Sequence, residues 1–220
     1  MAFRTAGFPT TAPGYNPPMA RSAPALGGWP LVGWAAAVLA PMCALILALV
    51  GTGEEGLRMV IRATARTSLA LFLLAFTASS ARHFWQAPTT AWLLRNRRYL
   101  GVSFAVSHTV HLAAIVALAT EVPGFGADPF TTIFGSLAYL VILAMTATSF
   151  DRSAAWLGRT HWKRLHTAGG YYVWLVFFVS FAPAAVQAAH PTGILAALAL
   201  IAALGLRVGA GRARLEAPAT

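Results

Sequence analysis

The chain has 220 residues, of which 58% are hydrophobic and only 10% charged, with a net charge of +10. A soluble domain of this size carries roughly 25% charged residues, so a water-soluble enzyme or binding domain is excluded. The basic surplus is no nucleic-acid footprint either. All sixteen basic residues except Lys163 are arginines, mostly at the ends of apolar blocks, where topology determinants and lipid anchors belong.

Residues 1–28 are rich in Pro, Ala, Gly and Ser, and Pro9, Pro13, Pro17, Pro18 and Pro24 rule out a packed helix. A disordered cytoplasmic tail is expected. The first apolar block arrives too late and runs too long for a signal peptide, which predicts an uncleaved helix. Six blocks follow, at about 29–49, 66–84, 100–120, 132–149, 167–188 and 191–207. Each approaches the roughly 20 residues that cross a bilayer as a helix, and tilt or local thinning accommodates the shorter ones. Residues 53–66 (GEEGLRMVIRATAR) carry charge at helical spacing and predict an amphipathic interfacial piece. The expected fold is all-α, a polytopic six-helix transmembrane bundle over 29–207 with a short cytoplasmic tail at 208–220. The GAG in that tail belongs to no strand-turn-helix dinucleotide fingerprint. Cys43, the single cysteine, lies inside an apolar block and excludes an intramolecular disulfide or a thiolate cluster.

Orientation follows from the connections. Arg82, Arg95, Arg97 and Arg98 fall between the second and third blocks. Arg152, Arg159, Lys163 and Arg164 fall between the fourth and fifth, and Arg207, Arg212 and Arg214 follow the sixth. The 121–131 connection has Glu121 and Asp128 and no basic residue. The positive-inside rule then puts both termini in the cytoplasm of a multi-pass protein of the inner membrane. Arg58 and Arg62 disagree, with Glu54 and Glu55 offsetting part of their charge.

Six histidines occur, at 83, 108, 111, 161, 166 and 190. Polar residues inside spans are rare and tend to mark function. His108 and His111 share a helix face about one turn apart. Each either bonds a carbonyl or hydroxyl of a neighbouring helix or ligates a haem iron, since neutral imidazole is a common iron ligand. Two neighbours on one helix cannot supply both axial positions, so a bis-histidine haem needs a partner from another helix, edge-on in the bundle core. The stretch LGRTHWKRLHTAGGYYVWLVFF, residues 157–178, offers His166 at the start of the fifth span. His161 is flanked by Arg159 and Lys163 and reads as a solvent or headgroup histidine. Gly169 and Gly170 permit close approach of a helix or a flat macrocycle, while Trp162, Tyr171 and Tyr172 suit an interfacial aromatic belt. Asp151 and Glu121 are lone loop-edge carboxylates, and no acid-base or nucleophilic pair stands out.

Arg97-Arg98-Tyr99-Leu100-Gly101 with His111 further on resembles the third-helix pattern of the ferric reductase-like transmembrane domain. Thr148-Ser149, then Leu157-Gly158, then Trp162-x-x-Leu165-His166 is similar to that family's approach to its fifth helix. Within the family the likeness is greatest to the haem-binding membrane subunits of bacterial periplasmic methionine sulfoxide reductase systems, and it covers about residues 35–205. The resemblance implies a b-type cytochrome that carries electrons across the membrane. It implies one haem or two, with FMN or a quinone as a further cofactor. Residue by residue, His111 matches the third-helix ligand and His166 the first fifth-helix ligand. Arg97 and Arg98 fall where propionates or a flavin phosphate could be met, as well as serving the positive-inside signal. Donors would be a cytoplasmic flavin reductase or membrane quinol, and the acceptor an extracytoplasmic reductase.

One departure stands against this. The family's second fifth-helix histidine, some thirteen residues after the first, is missing: the neighbourhood is Phe177, Phe178, Val179 and Ser180. His111 lies thirteen residues beyond Arg98, roughly 20 Å along a helix, whereas His166 is expected near the cytoplasmic end. The two are not level. His108 could meet His166 if the fifth helix starts near Gly158, His83 could face His166 from the second helix, or a haem could be held by one histidine with an open sixth site. A haem-free relative of the same fold, acting in ion or metal transport or as a membrane assembly subunit, is the alternative.

Overall fold

The computed structural model describes residues 27–126, 128–187 and 191–216. His190, most of the N-terminal segment and residues 217–220 lie outside them. Seven helices run through the described residues: α1 Trp29–Val50, α2 Glu54–Phe84, α3 Pro88–Glu121, α4 Pro129–Ala147, the short α5 Asp151–Leu157, α6 Arg159–Gln187 and α7 Pro191–Glu216. All but α5 are long and apolar enough to cross a membrane, which makes six spans in an all-α bundle, as the apolar blocks predict.

Proline and glycine set the boundaries. Prolines occupy the first turn of α1, α3 and α4, and Pro191 begins α7, positions where the missing N–H is no loss. Gly51 ends α1 at φ 104° and Gly158 separates α5 from α6 at φ 77°, conformations that a Cβ disfavours. The α1–α2 turn is tight, since a Cβ on Gly56 would fall 1.8 Å from the Gly51 carbonyl oxygen.

Helices extend further than the apolar blocks. Residues 53–66 form no separate interfacial piece: they are the first turns of the continuous 31-residue α2. The arginine-bearing stretch before residue 100 is the first third of α3, α6 begins at Arg159 rather than near 167, and α7 continues to Glu216 through the expected tail. Hydropathy marks the most apolar part of a helix, whereas i→i−4 bonding continues through the more polar turns on either side until a Gly or Pro stops it.

The central pair is α2 with α3, antiparallel, registered by the Ser68 hydroxyl donating to Ser107 Oγ at 2.9 Å. α7 lies along α2, α6 packs between α7 and α4, and α1 covers α3 and α2. The core is aromatic, with Phe72, Phe76, Phe104 and Phe177 interlocked around Leu69, Val173 and Leu200. Outward faces are equally apolar, for instance Val38, Leu49, Leu143 and Leu198. A surface like this suits lipid, where packing and small-residue contact rather than water exclusion hold helices together.

Candidate functional site

Polar groups inside the bundle collect in two places. The first is a cavity of about 420 Å³ walled by α2, α3, α4, α5 and α6. Its apolar lining includes Phe72, Phe76, Phe104 and Val173, Gly101 and Gly170 contribute no side chain, and Arg95, Arg97 and Arg98 also line it. His166 is the one imidazole in its wall.

The motif residues that precede His166 prove to be one contact cluster. The Thr148 hydroxyl, at the C-terminus of α4, donates to the Ala144 carbonyl at 2.7 Å, which uses its single proton. The contact of 3.0 Å between Thr148 Oγ1 and His166 Nε2 is therefore donated by the imidazole N–H, leaving the lone pair on Nδ1. Trp162 Nε1 donates to the Thr148 carbonyl at 2.9 Å, and the Trp162 ring stacks on His166 at 4.2 Å between centroids. Arg98 pairs with Asp151 at 2.6 Å and lies 5.9 Å from the Trp29 ring centroid. Arg207, from α7, donates to the Phe76 carbonyl at 2.9 Å, lies over the Phe76 and Tyr171 rings at 4.2 and 5.0 Å, and adds a positive charge that acts on Arg97.

The second place is deeper. His111 Nδ1 lies 3.1 Å from the Ile61 carbonyl and 3.0 Å from Thr64 Oγ1 on α2. A carbonyl only accepts, so Nδ1 carries the proton and Nε2 the lone pair. His108 is sandwiched between His111 and Tyr139, with ring centroids 5.1 and 4.8 Å away. His108 Nδ1 and the Tyr139 hydroxyl are buried without a hydrogen-bond partner among the described residues, as is Ser103 Oγ.

The structure does not bring the candidate ligands together. On α6, His108 lies against Phe177, with centroids 5.7 Å apart. Phe177 is eleven residues past His166, about 16 Å along the helix. α6 does start next to Gly158, yet this earlier start leaves His108 and His166 on different levels. His83 is exposed at the end of α2, edge-on to Phe84, and lines no part of the cavity. His161 is exposed, as its flanking charges suggest. No group of three or more His, Cys, Asp or Glu that could hold a metal ion occurs among the described residues.

Sequence reasoning missed Tyr139, Thr64 and Arg207. Tyr139 and Thr64 pass as ordinary residues of apolar helices, and Arg207 reads as a topology signal. The tyrosine in the middle of the fourth block, within the run LAYLVILAM, was the available hint.

No protein-family model, curated protein or solved structure matches this chain. The ferric reductase-like resemblance therefore rests on the sequence motifs.

Proposed function

We propose that this chain is a membrane electron-transfer subunit that holds a b-type haem in the cavity beside His166. The observation that carries the reading is the cavity itself, with one imidazole in the wall, aromatic and glycine sides, and three arginines whose positive charge suits an anionic group. Haem, when bound, supplies a one-electron carrier whose potential the axial ligand and burial set.

A bis-histidine haem does not fit, because no two imidazoles of the described residues face each other across a gap and Phe177 fills the position opposite His108. Within the cavity a haem would be held through His166 alone, the single imidazole of its wall. Thr148 would orient the ring in the way that hydrogen-bonded second partners orient metal-binding histidines. Arg97 and Arg95 would meet the propionates, with Arg98 already engaged by Asp151. The electron donor would be a cytoplasmic flavin reductase, FMN or membrane quinol, and the acceptor an extracytoplasmic reductase.

The test is a dithionite-reduced minus oxidised spectrum of the protein purified in mild detergent, with haem extraction. A b-type α band that disappears in His166→Ala and survives in His111→Ala and His83→Ala supports the reading. Absence of haem overturns it. Haem lost in His111→Ala but kept in His166→Ala moves the site to the deep stack.

A second reading is a haem-free relative that acts in ion or metal movement or in assembly. The closed stack of His111, His108 and Tyr139, with His111 already bonded to α2, favours it. Haem content separates the two.

A further inference from the structure

The geometry points to a binding site for a phosphate-bearing membrane lipid in the groove between α2 and α7, with Arg62 and Arg66 on the phosphate and an acyl chain along the helices below. The site is separate from the His166 cavity and does not depend on haem.

α2 and α7 run parallel in steady register. Arg66 Nη2 reaches Thr192 Oγ1 at 3.5 Å, a Cβ on Gly209 would touch the Phe84 ring at 3.5 Å, and an open groove of about 560 Å³ lies between these points. Its walls are apolar, with Ala70, Leu73, Leu74 and Thr77 from α2 and Ala199 and Ala202 among those from α7. Positions 62, 66, 70, 73 and 77 follow the helical repeat and form one stripe, so the two arginines stand directly above the groove. From Arg66 to Thr77 the stripe runs about 16 Å, comparable to one leaflet's share of a hydrocarbon core roughly 30 Å thick.

The depth of these arginines is what calls for an anion. On the α1 side the apolar layer ends at Gly51, which packs against Gly56 of α2. Arg62 and Arg66 lie six and ten residues past Gly56, about 9 and 15 Å further in. Both are exposed and so are not packed inside the bundle. Arg62 has no hydrogen-bond or ion-pair partner among the described residues, and Arg66 has the single long contact to Thr192. An unpaired guanidinium at that depth is costly, and the usual relief is snorkelling, local thinning and pairing with an anion. On the α7 side the helix begins level with Arg66, a step of about ten residues inward from Gly56. A lipid whose phosphate descends into this step pairs with both arginines, and the groove below receives its chain. Arg58 belongs to no such site, because Glu54 binds it at 2.8 Å. The same pairing accounts for basic residues at the end of α2 where the positive-inside pattern has none.

The test uses the full-length protein in mild detergent and native mass spectrometry, with phosphatidylglycerol and a diacylglycerol of the same chains as probes. Wild type should retain phosphatidylglycerol in clear preference, and inorganic phosphate should not displace it. The Arg62→Gln/Arg66→Gln double variant should lose retention about tenfold or more, each arginine near a lipid phosphate being a substantial contribution. Ala199→Phe, which fills the groove from an exposed position, should lose it too with both arginines intact. Arg212→Gln, at the far end of α7, should retain lipid as wild type does, and unchanged helical circular dichroism would show all variants folded. Equal retention of the two lipids, displacement by inorganic phosphate, or an unchanged double variant would overturn the assignment.

Discussion

The rings of His108 and Phe177 lie 5.7 Å apart in a near T-shaped arrangement, in the middle of the bundle. Phe177 also touches Phe72 at 5.4 Å and Phe104 at 6.0 Å, so the buried member of the neighbourhood where a second fifth-helix imidazole would be expected sits in a knot of phenyl rings. This relationship separates the deep polar stack from the cavity beside His166.

Phe177 is buried and holds α6 against α2 and α3. Phe177→Ala removes four ring contacts, to His108, Phe72, Phe104 and Phe181, and leaves a void that rigid helices close only in part. Truncating a core aromatic in water costs about 3–5 kcal/mol. In lipid the transfer part largely cancels, because the unfolded helices are solvated by acyl chains. A loss of roughly 2 kcal/mol is expected. Reversible SDS unfolding measures it, and a change near zero would show that the phenyl knot contributes no packing.

His111 is expected as the Nδ1–H tautomer, because the Ile61 carbonyl cannot donate. Nitrogen-15 NMR of labelled histidine should show Nδ1 protonated and Nε2 bare. Thr64 is fully buried, and its hydroxyl bonds the Val60 carbonyl at 2.7 Å as well as His111. Thr64→Val keeps the shape and the Ile61 bond and removes one polar contact. It should cost roughly 0.5–1.5 kcal/mol, the range for side-chain hydrogen bonds between membrane helices. An Nε2–H tautomer would contradict the assignment.

The fold was legible in hydropathy because six apolar blocks of this length suit spans. What hydropathy does not encode is where each helix begins and ends. Residues 53–66 are therefore expected as a separate amphipathic interfacial piece and 82–98 as a connection, although nearly all of them belong to the continuous helices α2 and α3. At the site, the Thr148, Trp162 and His166 motif closes into one cluster. The depth mismatch between His111 and His166 was likewise visible from counting residues. The partners of His111 and His108 were not, because Thr64 and Tyr139 come from helices whose rotation about their axes no single sequence fixes.

The Asp128 carboxylate, outside the spans at the start of α4, accepts the Thr131 N–H at 2.8 Å. Bonds from the Thr131 side chain and backbone hold its pKa below the usual carboxylate value. Because the folded pKa is depressed, the cap's stabilisation is present above the unfolded pKa of about 3.9 and is lost as pH falls through the lower folded value. Carbon-13 NMR of the Asp128 carboxyl should give a midpoint below that of an unstructured aspartate. In Asp128→Ala, amide exchange at Thr131 should be faster at neutral pH, and the pH dependence should vanish. A midpoint at or above the free value would remove the cap.

Gly169 and Gly170 are neighbours in sequence with opposite expectations. A Cβ on Gly169 would fall 2.6 Å from Met145 Sδ and 2.9 Å from Val141 Cγ1, whereas one on Gly170 would meet the Phe76 ring at 3.6 Å, an ordinary contact. Met145 can swing away, since a thioether chain is flexible. Val141 cannot, since a β-branched side chain in a helix has one favoured rotamer. Gly169→Ala must therefore push α6 from α4, at a cost of about 1–3 kcal/mol for overpacking. The Thr148 to His166 contact spans the same two helices and should lengthen with it. Gly170→Ala adds a methyl in available space and gains helix propensity, so it should be neutral or stabilising. SDS unfolding of the two variants checks the order, and the histidine nitrogen-15 shifts of His166 should move in Gly169→Ala alone. Equal stabilities would mean that α4 and α6 are not in close contact at this level.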